Sequence, residues 1–381
     1  MRHFSHLSPE LGLFAQTPVE FHRHSDRAIL APALGATLYV PADRPELPRL
    51  VGQAFDRGVR SMVICLEDGI PDAALTAAED LLPTQLAQLD DDRSPLLFVR
   101  VRDPEHLTRV SHKLGAQIER LTGFVFPKCQ PGNAEAFLDA ALGAARAHGV
   151  RLLSMPILET PDLAWFETRR RTLGTLFELF ESRRDEILAV RFGATDISGL
   201  FGLRRPAGLS IYDIEVVRSL IGDVVNQFRR MGSSHVVTGP VWEYFHIDER
   251  IFKPDLRQTP FRERAAQPVR EALLNVALDG LIREVELDKA NGLLGKTVIH
   301  PTHVPVVHAL LAVTHEEYSD ALAISRSGGG VSASLYVNKM NEMRPHALWA
   351  ERTLLRATAF GVTAPERTFV DLLAAQGWNQ P

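Results

Sequence analysis

The sequence predicts an α/β fold, a TIM (β/α)8 barrel with a C-terminal helical extension. Eight short apolar runs rich in β-branched residues recur along the chain, and most of them lead into polar or charged residues. The earlier runs lie roughly thirty residues apart, the repeat expected when about 250 residues form eight strand–helix units. Segments with helical spacing of apolar residues separate the runs, an alternation that is typical of a parallel sheet.

The predicted barrel strands are short and follow one another in order. They are residues 36–40, 61–66, 96–101, 123–126, 152–158, 188–192, 235–238 and 297–299. Eight units favour a closed barrel over an open dinucleotide-binding sheet, and no G-x-G-x-x-G motif follows the first run.

Helices are predicted between the strands, and glycine marks where several of them end. They cover 45–57, 133–148, 212–231 and 271–285, with an aromatic and charged excursion over 242–267 before the last. We expect a barrel domain over 1–310 and a helical extension over 311–381, with the Gly/Ser tract 325–330 separating the barrel from a C-terminal helical cap.

Composition narrows the class of protein. The chain has 381 residues, 45% hydrophobic and 23% charged, with a net charge of −5. The sequence lacks the stripe of basic residues that would predict nucleic-acid binding. The sequence shows neither an apolar leader nor a run of about 18 apolar residues. We therefore predict neither secretion nor a membrane span and expect a cytoplasmic protein. Cys65 and Cys129 have no Cys-x-x-Cys spacing and are expected to be small buried residues.

Acidic and basic side chains follow nearly every predicted strand. Because TIM-barrel active sites lie at the carboxyl ends of the strands, we expect these residues to meet at one rim. The set is Glu67, Asp68, Arg100, Arg102, Lys128, Glu159, Asp196, Glu243 and His300, and Gly193 lies in the same rim segment as Asp196. A rim that mixes both charges at successive strand ends indicates a metal ion and a small anionic substrate.

Glu159 and Asp196 are the candidate metal ligands, since they follow neighbouring strands. Two carboxylates with positions left for water and substrate suit Mg²⁺. The structural alternatives are a helix-terminal carboxylate for Glu159 and a helix N-cap for Asp196.

Arg100 is the candidate substrate clamp, because a guanidinium can hold a carboxylate or enolate oxygen in two places. Glu67 and Asp68 would face opposite sides of an extended strand, so one of them is expected to reach the site. Lys128 is interpreted either as an ion-pair partner of these acids or as a Schiff-base lysine. His300 is a candidate acid, base or substrate donor.

Six ordered segments resemble the citrate lyase beta-subunit family within the HpcH/HpaI aldolase group. They are S-M-V-I-C-L-E-D-G-I (61–70), similar to the family's "DLEDgV" strand, F-V-R-V-R (98–102), G-F-V-F-P-K (123–128), M-P-I-L-E-T (155–160), F-G-A-T-D-I (192–197) and G-L-L-G-K-T-V-I-H-P (292–301).

The resemblance implies Mg²⁺ on Glu159 and Asp196 and a substrate carboxylate on Arg100. It also implies a homo-oligomer, a trimer or a multiple of it. Gly193, Lys128 and His300 are then expected beside the substrate, and Arg100, Glu67 and Asp68 take catalytic parts.

The first predicted strand departs from the family pattern. It reads G-A-T-L-Y-V-P (35–41) without the family's CoA-binding arginine, which argues against a CoA thioester as substrate but leaves it open. The regions 196–242 and 336–344 also differ from the family pattern.

The predicted function is Mg²⁺-dependent carbon–carbon cleavage or condensation of a small β-hydroxy acid or its thioester. The resemblance leaves the general base open among Glu67, Asp68, Glu243 and a neighbouring subunit. One alternative is an enolate-forming phosphoenolpyruvate or keto-acid enzyme, with Lys128, Arg204 and Arg205 as phosphate ligands. A catalytically retired barrel that acts as a binding subunit is the other.

Overall fold

A computed structural model describes residues 1–233, 235–245 and 276–376 and contains a closed barrel of eight parallel strands. The strands are β1 (Ala36–Pro41), β2 (Ser61–Cys65), β3 (Leu96–Arg100), β4 (Gly123–Phe126), β5 (Leu153–Leu158), β6 (Val190–Phe192), β7 (Val237–Trp242) and β8 (Lys296–Val298). Each strand pairs with the next, and β1 pairs with β8 to close the barrel. The predicted fold class is confirmed.

Strand β7 differs most from its prediction, since it begins two residues later and ends four residues later than expected. Gly239 and Pro240 argue against a strand at these positions in the sequence, because both residues normally weaken strands. In the barrel, a Cβ on Gly239 would lie 2.4 Å from Asp288 Oδ2. The register between β7 and β8 shifts between Gly239 and Trp242, as at a β-bulge.

Helices surround the barrel and form the extension. In chain order they are α1 (Arg27–Ala33), α2 (Leu47–Asp56), α3 (Leu75–Ala87), α4 (Pro104–Leu114), α5 (Ala134–His148), α6 (Pro161–Ala164), α7 (Phe166–Ser182), α8 (Ala194–Leu200), α9 (Glu215–Phe228), α10 (Val276–Ala290), α11 (His303–Leu311), α12 (His315–Arg326), α13 (Ala347–Phe360) and α14 (Phe369–Ala375).

Several predicted helices are observed with shifted ends. Helix α10 continues five residues beyond its predicted end, while the predicted first residues 271–275 lie outside the described part of the chain. Most of the predicted excursion, from residue 246 onward, also lies outside it. No helix among the described residues has both the length and the apolarity needed to cross a lipid bilayer.

The strands are buried on both faces, which explains their near-continuous apolar sequences. All five residues of β2 are buried, for example. One face packs against the outer helices and the other fills the barrel interior. An exception to the apolar pattern is Arg191 on β6, whose guanidinium contacts Thr37 on β1 and Met155 on β5.

A buried ionic network fixes α10 against the barrel. Lys296 Nζ lies 2.9 Å from Glu284 Oε1 and 2.7 Å from Asp288 Oδ2. Glu284 also pairs with Arg205, and the Tyr212 hydroxyl donates to Asp288 Oδ1 at 2.8 Å. Because the charges compensate one another, the network satisfies groups that would be costly to bury alone.

The Gly/Ser tract does not separate the barrel from a cap, so that prediction is wrong. It leads into a β-hairpin of Val331–Ala333 and Met340–Glu342, which turns the chain between α12 and α13. Glycine and serine favour such a turn as readily as a linker. Helix α13 ends at Phe360, which belongs to the same apolar cluster as the barrel core. The domain boundary at 310 stays a prediction.

Candidate active site

Glu67 lies at the centre of a group of charged residues at the ends of β2, β3 and β4. Its Oε2 is 3.0 Å from Arg100 Nη2, and its Oε1 accepts from Lys128 Nζ. Lys128 Nζ also lies 3.4 Å from Asp68 Oδ2. The expectation that Glu67 and Asp68 face opposite sides is wrong, because β2 ends at Cys65 and the following turn brings both acids to one ammonium group.

Arg100 is held by partners on two sides. Nε and Nη2 lie 3.2 and 3.1 Å from Cys65 Sγ, while Nη2 also pairs with Glu67. Nη1 donates no hydrogen bond to any of the described residues, which leaves its two N–H groups for a ligand. Burial lowers the pKa of Arg100, but the neighbouring Cys65, Tyr39 and Glu67 raise it, and the net shift of the pKa is upward.

Arg102 does not share this position. Strand β3 ends at Arg100, and the Arg102 guanidinium turns outward to the Leu66 carbonyl and to Asp72 Oδ1 at 2.6 Å. Arg102 therefore does not join Arg100 in the site, although the sequence placed both among the rim residues.

Lys128 connects the acid cluster to Glu159. Its backbone has a φ of +49°, an uncommon conformation for a residue with a Cβ, and its N–H donates to Glu159 Oε1 at 2.8 Å. Such strain costs roughly 1–3 kcal/mol and is often found at functional sites. Burial favours the neutral amine, but Glu67 and Asp68 raise the pKa of Lys128, which disfavours the free amine that a Schiff base requires.

Glu159 is buried, with 6% of its surface exposed. Gly193 makes room for it, since a Cβ at position 193 would lie 2.0 Å from Glu159 Oε2. The Gly193 N–H donates to the Leu158 carbonyl at 3.1 Å, which fixes this close approach. Burial and the neighbouring Asp196 carboxylate raise the pKa of Glu159 to about 8.

Asp196 lies in the first turn of α8, where Gly193 is the N-cap. The N-cap alternative for Asp196 is therefore wrong. Burial raises the pKa of this carboxyl, although Lys128 and Arg100 oppose the shift.

Glu159 and Asp196 fit a divalent cation, because each carboxylate is costly to ionise where it lies and both offer hard oxygen atoms. Among residues 1–233, 235–245 and 276–376, no cluster of three or more His, Cys, Asp or Glu side chains could hold a metal. The carboxylate pair would thus leave the remaining coordination positions to water and substrate.

Two interior residues were not identified from the sequence. The Tyr39 ring on β1 has the Arg100 guanidinium 5.5 Å from its centroid and that of Arg191 at 5.4 Å. Two sequence signals pointed to them. Tyr39 follows Thr37 by two residues and so shares its strand face, and Arg191 is a charged residue inside the apolar run 188–192.

The remaining candidates lie farther along the rim. His300 Nδ1 contacts Thr302 Oγ1 at 2.7 Å, and its ring stacks on Phe245 with centroids 5.2 Å apart. Glu243 accepts from Thr195 Oγ1 at 3.2 Å and pairs with Arg205 at 3.2 Å.

Comparisons with known proteins identify the family and the fold of the chain. Residues 28–362 match the family described as C–C bond lyase of the TIM-barrel fold. The structure is similar to that of protein CitE from Mycobacterium tuberculosis, solved with magnesium, acetoacetate and coenzyme A. The TM-score is 0.52 and the identity 21%, over 88% of this chain and 99% of that one.

A citrate lyase from Burkholderia xenovorans LB400 is also similar, with a TM-score of 0.58 and 16% identity over 89% of this chain and 96% of that one. At these identities the two likenesses show the fold alone. A comparison with curated protein sequences gives no match. The resemblance inferred from the six segments is confirmed by the family match.

Proposed function

The chain belongs to the family of C–C bond lyases of the TIM-barrel fold, and from that premise we propose that it cleaves or forms a carbon–carbon bond in a small β-hydroxy carboxylic acid or its thioester, with Mg²⁺ held by Glu159 and Asp196. The observation that carries the proposal is the position of Lys128. Its N–H binds Glu159 while its ammonium binds Glu67. One residue thus joins the carboxylate pair to the Arg100 cluster.

The metal would supply Lewis-acid polarisation of the substrate oxygen and a template for the substrate carboxylate. Glu159 is suited to hold it because the carboxylate is buried and fixed by the Lys128 N–H. Asp196 is suited because the first turn of α8 presents it beside Glu159, close enough to raise the pKa of that group.

Arg100 is suited to bind the anionic end of the substrate through Nη1. Cys65 and Glu67 already hold Nε and Nη2, so the guanidinium plane is fixed before a ligand arrives. Fixed donors stabilise developing charge without the cost of reorganisation. We assign to Arg100 the carboxylate or enolate oxygen of the fragment that leaves.

Asp68 is the proposed base for the substrate hydroxyl proton. Glu67 accepts from Arg100, Lys128 and the Asp68 backbone N–H, which leaves it little freedom to move or accept a proton. Glu243 is engaged by Thr195 and Arg205. Asp68 is more than half exposed, and Lys128 Nζ lies a long 3.4 Å away.

No observation favours phosphate transfer as a second function. Arg205, which the sequence offered for a phosphate, is 2% exposed and paired with Glu284 and Glu243. The ammonium of Lys128 is likewise paired closely with Glu67.

The test is a cleavage assay with Mg²⁺ and a panel of citrate, malate, citryl-CoA and malyl-CoA, with the released keto acid reduced by NADH and a dehydrogenase. We expect one of these compounds or a close homologue to be cleaved. Asp196→Asn should abolish cleavage, while Asp139→Asn, which alters only an exposed pair with Arg183, should retain it. A cleavage rate unaffected by Asp196→Asn would contradict the metal site.

Cleavage of the free acids but not of the thioesters would agree with the absence of the family's CoA-binding arginine from the first strand. Cleavage of the thioesters alone would show that CoA is recognised in another way. The trimer or higher homo-oligomer implied by the resemblance, and the cytoplasmic location, stay predictions. Light scattering of the purified protein checks the first.

A further inference from the structure

Tyr39 faces the interior of the barrel at its carboxyl end. Thr37 and Tyr39 lie two residues apart on β1 and so share one face of the strand. Thr37 Oγ1 contacts Arg191 Nη1 at 3.3 Å, and Arg191 also reaches Met155 on β5 and Thr297 on β8. A side chain that touches β1, β5 and β8 from β6 lies inside the barrel. Tyr39 therefore lies inside it too, one layer nearer the rim.

Arg191 is an unusual residue to find there. It is 1% exposed, no carboxylate in the described ranges forms an ion pair with it, and its Nε finds no acceptor among them. A buried charge without an ionic partner is costly. Burial accordingly lowers the pKa of Arg191, while Tyr39, whose ring centroid lies 5.4 Å from the guanidinium carbon, acts in the opposite direction.

The contacts of Tyr39 determine what its hydroxyl can do. Guanidinium groups only donate hydrogen bonds, so neither Arg191 nor Arg100, whose central carbons lie 5.4 and 5.5 Å from the Tyr39 ring centroid, can accept from the Tyr39 O–H. Tyr39 is partly exposed, and burial raises its pKa, so the O–H keeps its proton at neutral pH. No described residue is observed to accept a hydrogen bond from the Tyr39 hydroxyl, which leaves it open to an oxygen atom of a ligand in the barrel mouth.

We propose that Tyr39 is a catalytic residue whose hydroxyl donates a hydrogen bond to the enolate oxygen formed as the carbon–carbon bond breaks, and that Arg191 is the positioning residue that orients and polarises this hydroxyl. The assignment rests on the proposed lyase function. No proton is transferred in this step: the phenol keeps its hydrogen, and its bond to the substrate oxygen strengthens as negative charge develops there. The buried charge of Arg191 increases the acidity of the donor at that moment.

The experiment measures enolate formation directly. In deuterium oxide with Mg²⁺, proton NMR follows exchange of the methyl protons of pyruvate, and of acetyl-CoA in the presence of oxaloacetate. We expect Tyr39→Phe to lower the exchange rate constant about 10²- to 10³-fold, the effect of removing one oxyanion donor. Its affinities for Mg²⁺ and oxaloacetate, measured by calorimetry, should stay at wild-type values. Tyr336→Phe, at an exposed phenol that contacts His315, is the matched control and should exchange normally.

Arg191→Met separates positioning from folding. Removal of the uncompensated buried charge should raise the melting temperature while the exchange rate falls and the KM stays unchanged. A merely structural arginine would instead give a less stable protein with normal exchange.

Three results would overturn the assignment. A wild-type exchange rate in Tyr39→Phe would remove Tyr39 from the reaction while leaving the lyase function intact. A loss of oxaloacetate affinity equal to the loss of rate would make Tyr39 a ground-state binding residue. A wild-type protein that binds Mg²⁺ and oxaloacetate but exchanges neither probe would remove enolate chemistry, and the role of Tyr39 with it.

Discussion

Gly193→Ala displaces the buried Glu159 carboxylate without removing any charge. An added Cβ would lie 2.0 Å from Glu159 Oε2 and 2.6 Å from its Cβ, whereas ordinary contacts begin at 3.4 Å. The backbone at position 193 is held by a hydrogen bond to Leu158, so the glutamate has to move by roughly 1–1.5 Å to restore contact distances.

That displacement should weaken Mg²⁺ binding by roughly 10- to 100-fold, about 1.4–2.8 kcal/mol. A misplacement near 1 Å typically lowers turnover by a further factor of about 10². Calorimetric titration with Mg²⁺, followed by the cleavage assay, measures both quantities. Circular dichroism establishes that the variant is folded.

Gly199→Ala is the matched control, inside helix α8, of which Gly193 is the N-cap. A Cβ at Gly199 meets no atom within 4 Å, so the substitution should leave Mg²⁺ affinity unchanged and stabilise the helix by up to roughly 1 kcal/mol. If folded Gly193→Ala binds Mg²⁺ as tightly as the wild type, Glu159 is not a ligand or its position is not fixed, and the reasoning fails.

Three further predictions concern the support of the site and the stability of the fold. Cys65→Ala removes the sulfur that accepts from Arg100 Nε and Nη2; the KM for the keto acid should rise roughly 10-fold with Mg²⁺ affinity intact, and an unchanged KM would show that Glu67 alone positions the guanidinium. Lys296→Met leaves two buried carboxylates without their shared cation, so urea unfolding should show that the free energy of unfolding falls by about 3–5 kcal/mol. The control Arg49→Met breaks an exposed ion pair and should lower it by less than about 1 kcal/mol. Acid should also destabilise the fold between pH 6.5 and 4. Burial lowers the pKa of His3 to about 3 and of His303 to about 4, so the unfolded chain binds more protons in that window and stability falls by up to roughly 2–3 kcal/mol per pH unit; equal unfolding free energies at pH 7.5 and 5 would contradict this.

The barrel could be predicted because its signals are local. Each strand is buried on both faces, so its residues form an apolar run, and the helices between strands impose a regular spacing. The strand that departed most from its predicted bounds, β7, contains Gly239 and Pro240. Gly239 is required by its close approach to Asp288 on α10, which no local pattern encodes.

The rim residues could be listed from the sequence, because the carboxyl end of a parallel strand is the active edge wherever the strand occurs. Their pairings could not. The turn after Cys65 brings Glu67 and Asp68 to the same lysine, although strand alternation separates them. The positive φ of Lys128, which directs its N–H to Glu159, also has no sequence signal.

Residues of the barrel interior were missed for a different reason. Tyr39 and Arg191 are 152 positions apart in the chain and meet only because the sheet closes. A lone arginine in an apolar strand indicates an interior role, but its partner follows only from the closed geometry.

The most direct test of the central claim is a calorimetric titration of the metal-free protein with Mg²⁺ and then oxaloacetate, compared with Asp196→Asn. We predict that Mg²⁺ binds the wild type, that oxaloacetate binds only in its presence, and that Asp196→Asn binds neither. At a ligand concentration of about 100 times its Kd, the wild type should also gain roughly 2.7 kcal/mol of stability. Equal binding by both proteins, or oxaloacetate binding without metal, would contradict a magnesium site at Glu159 and Asp196.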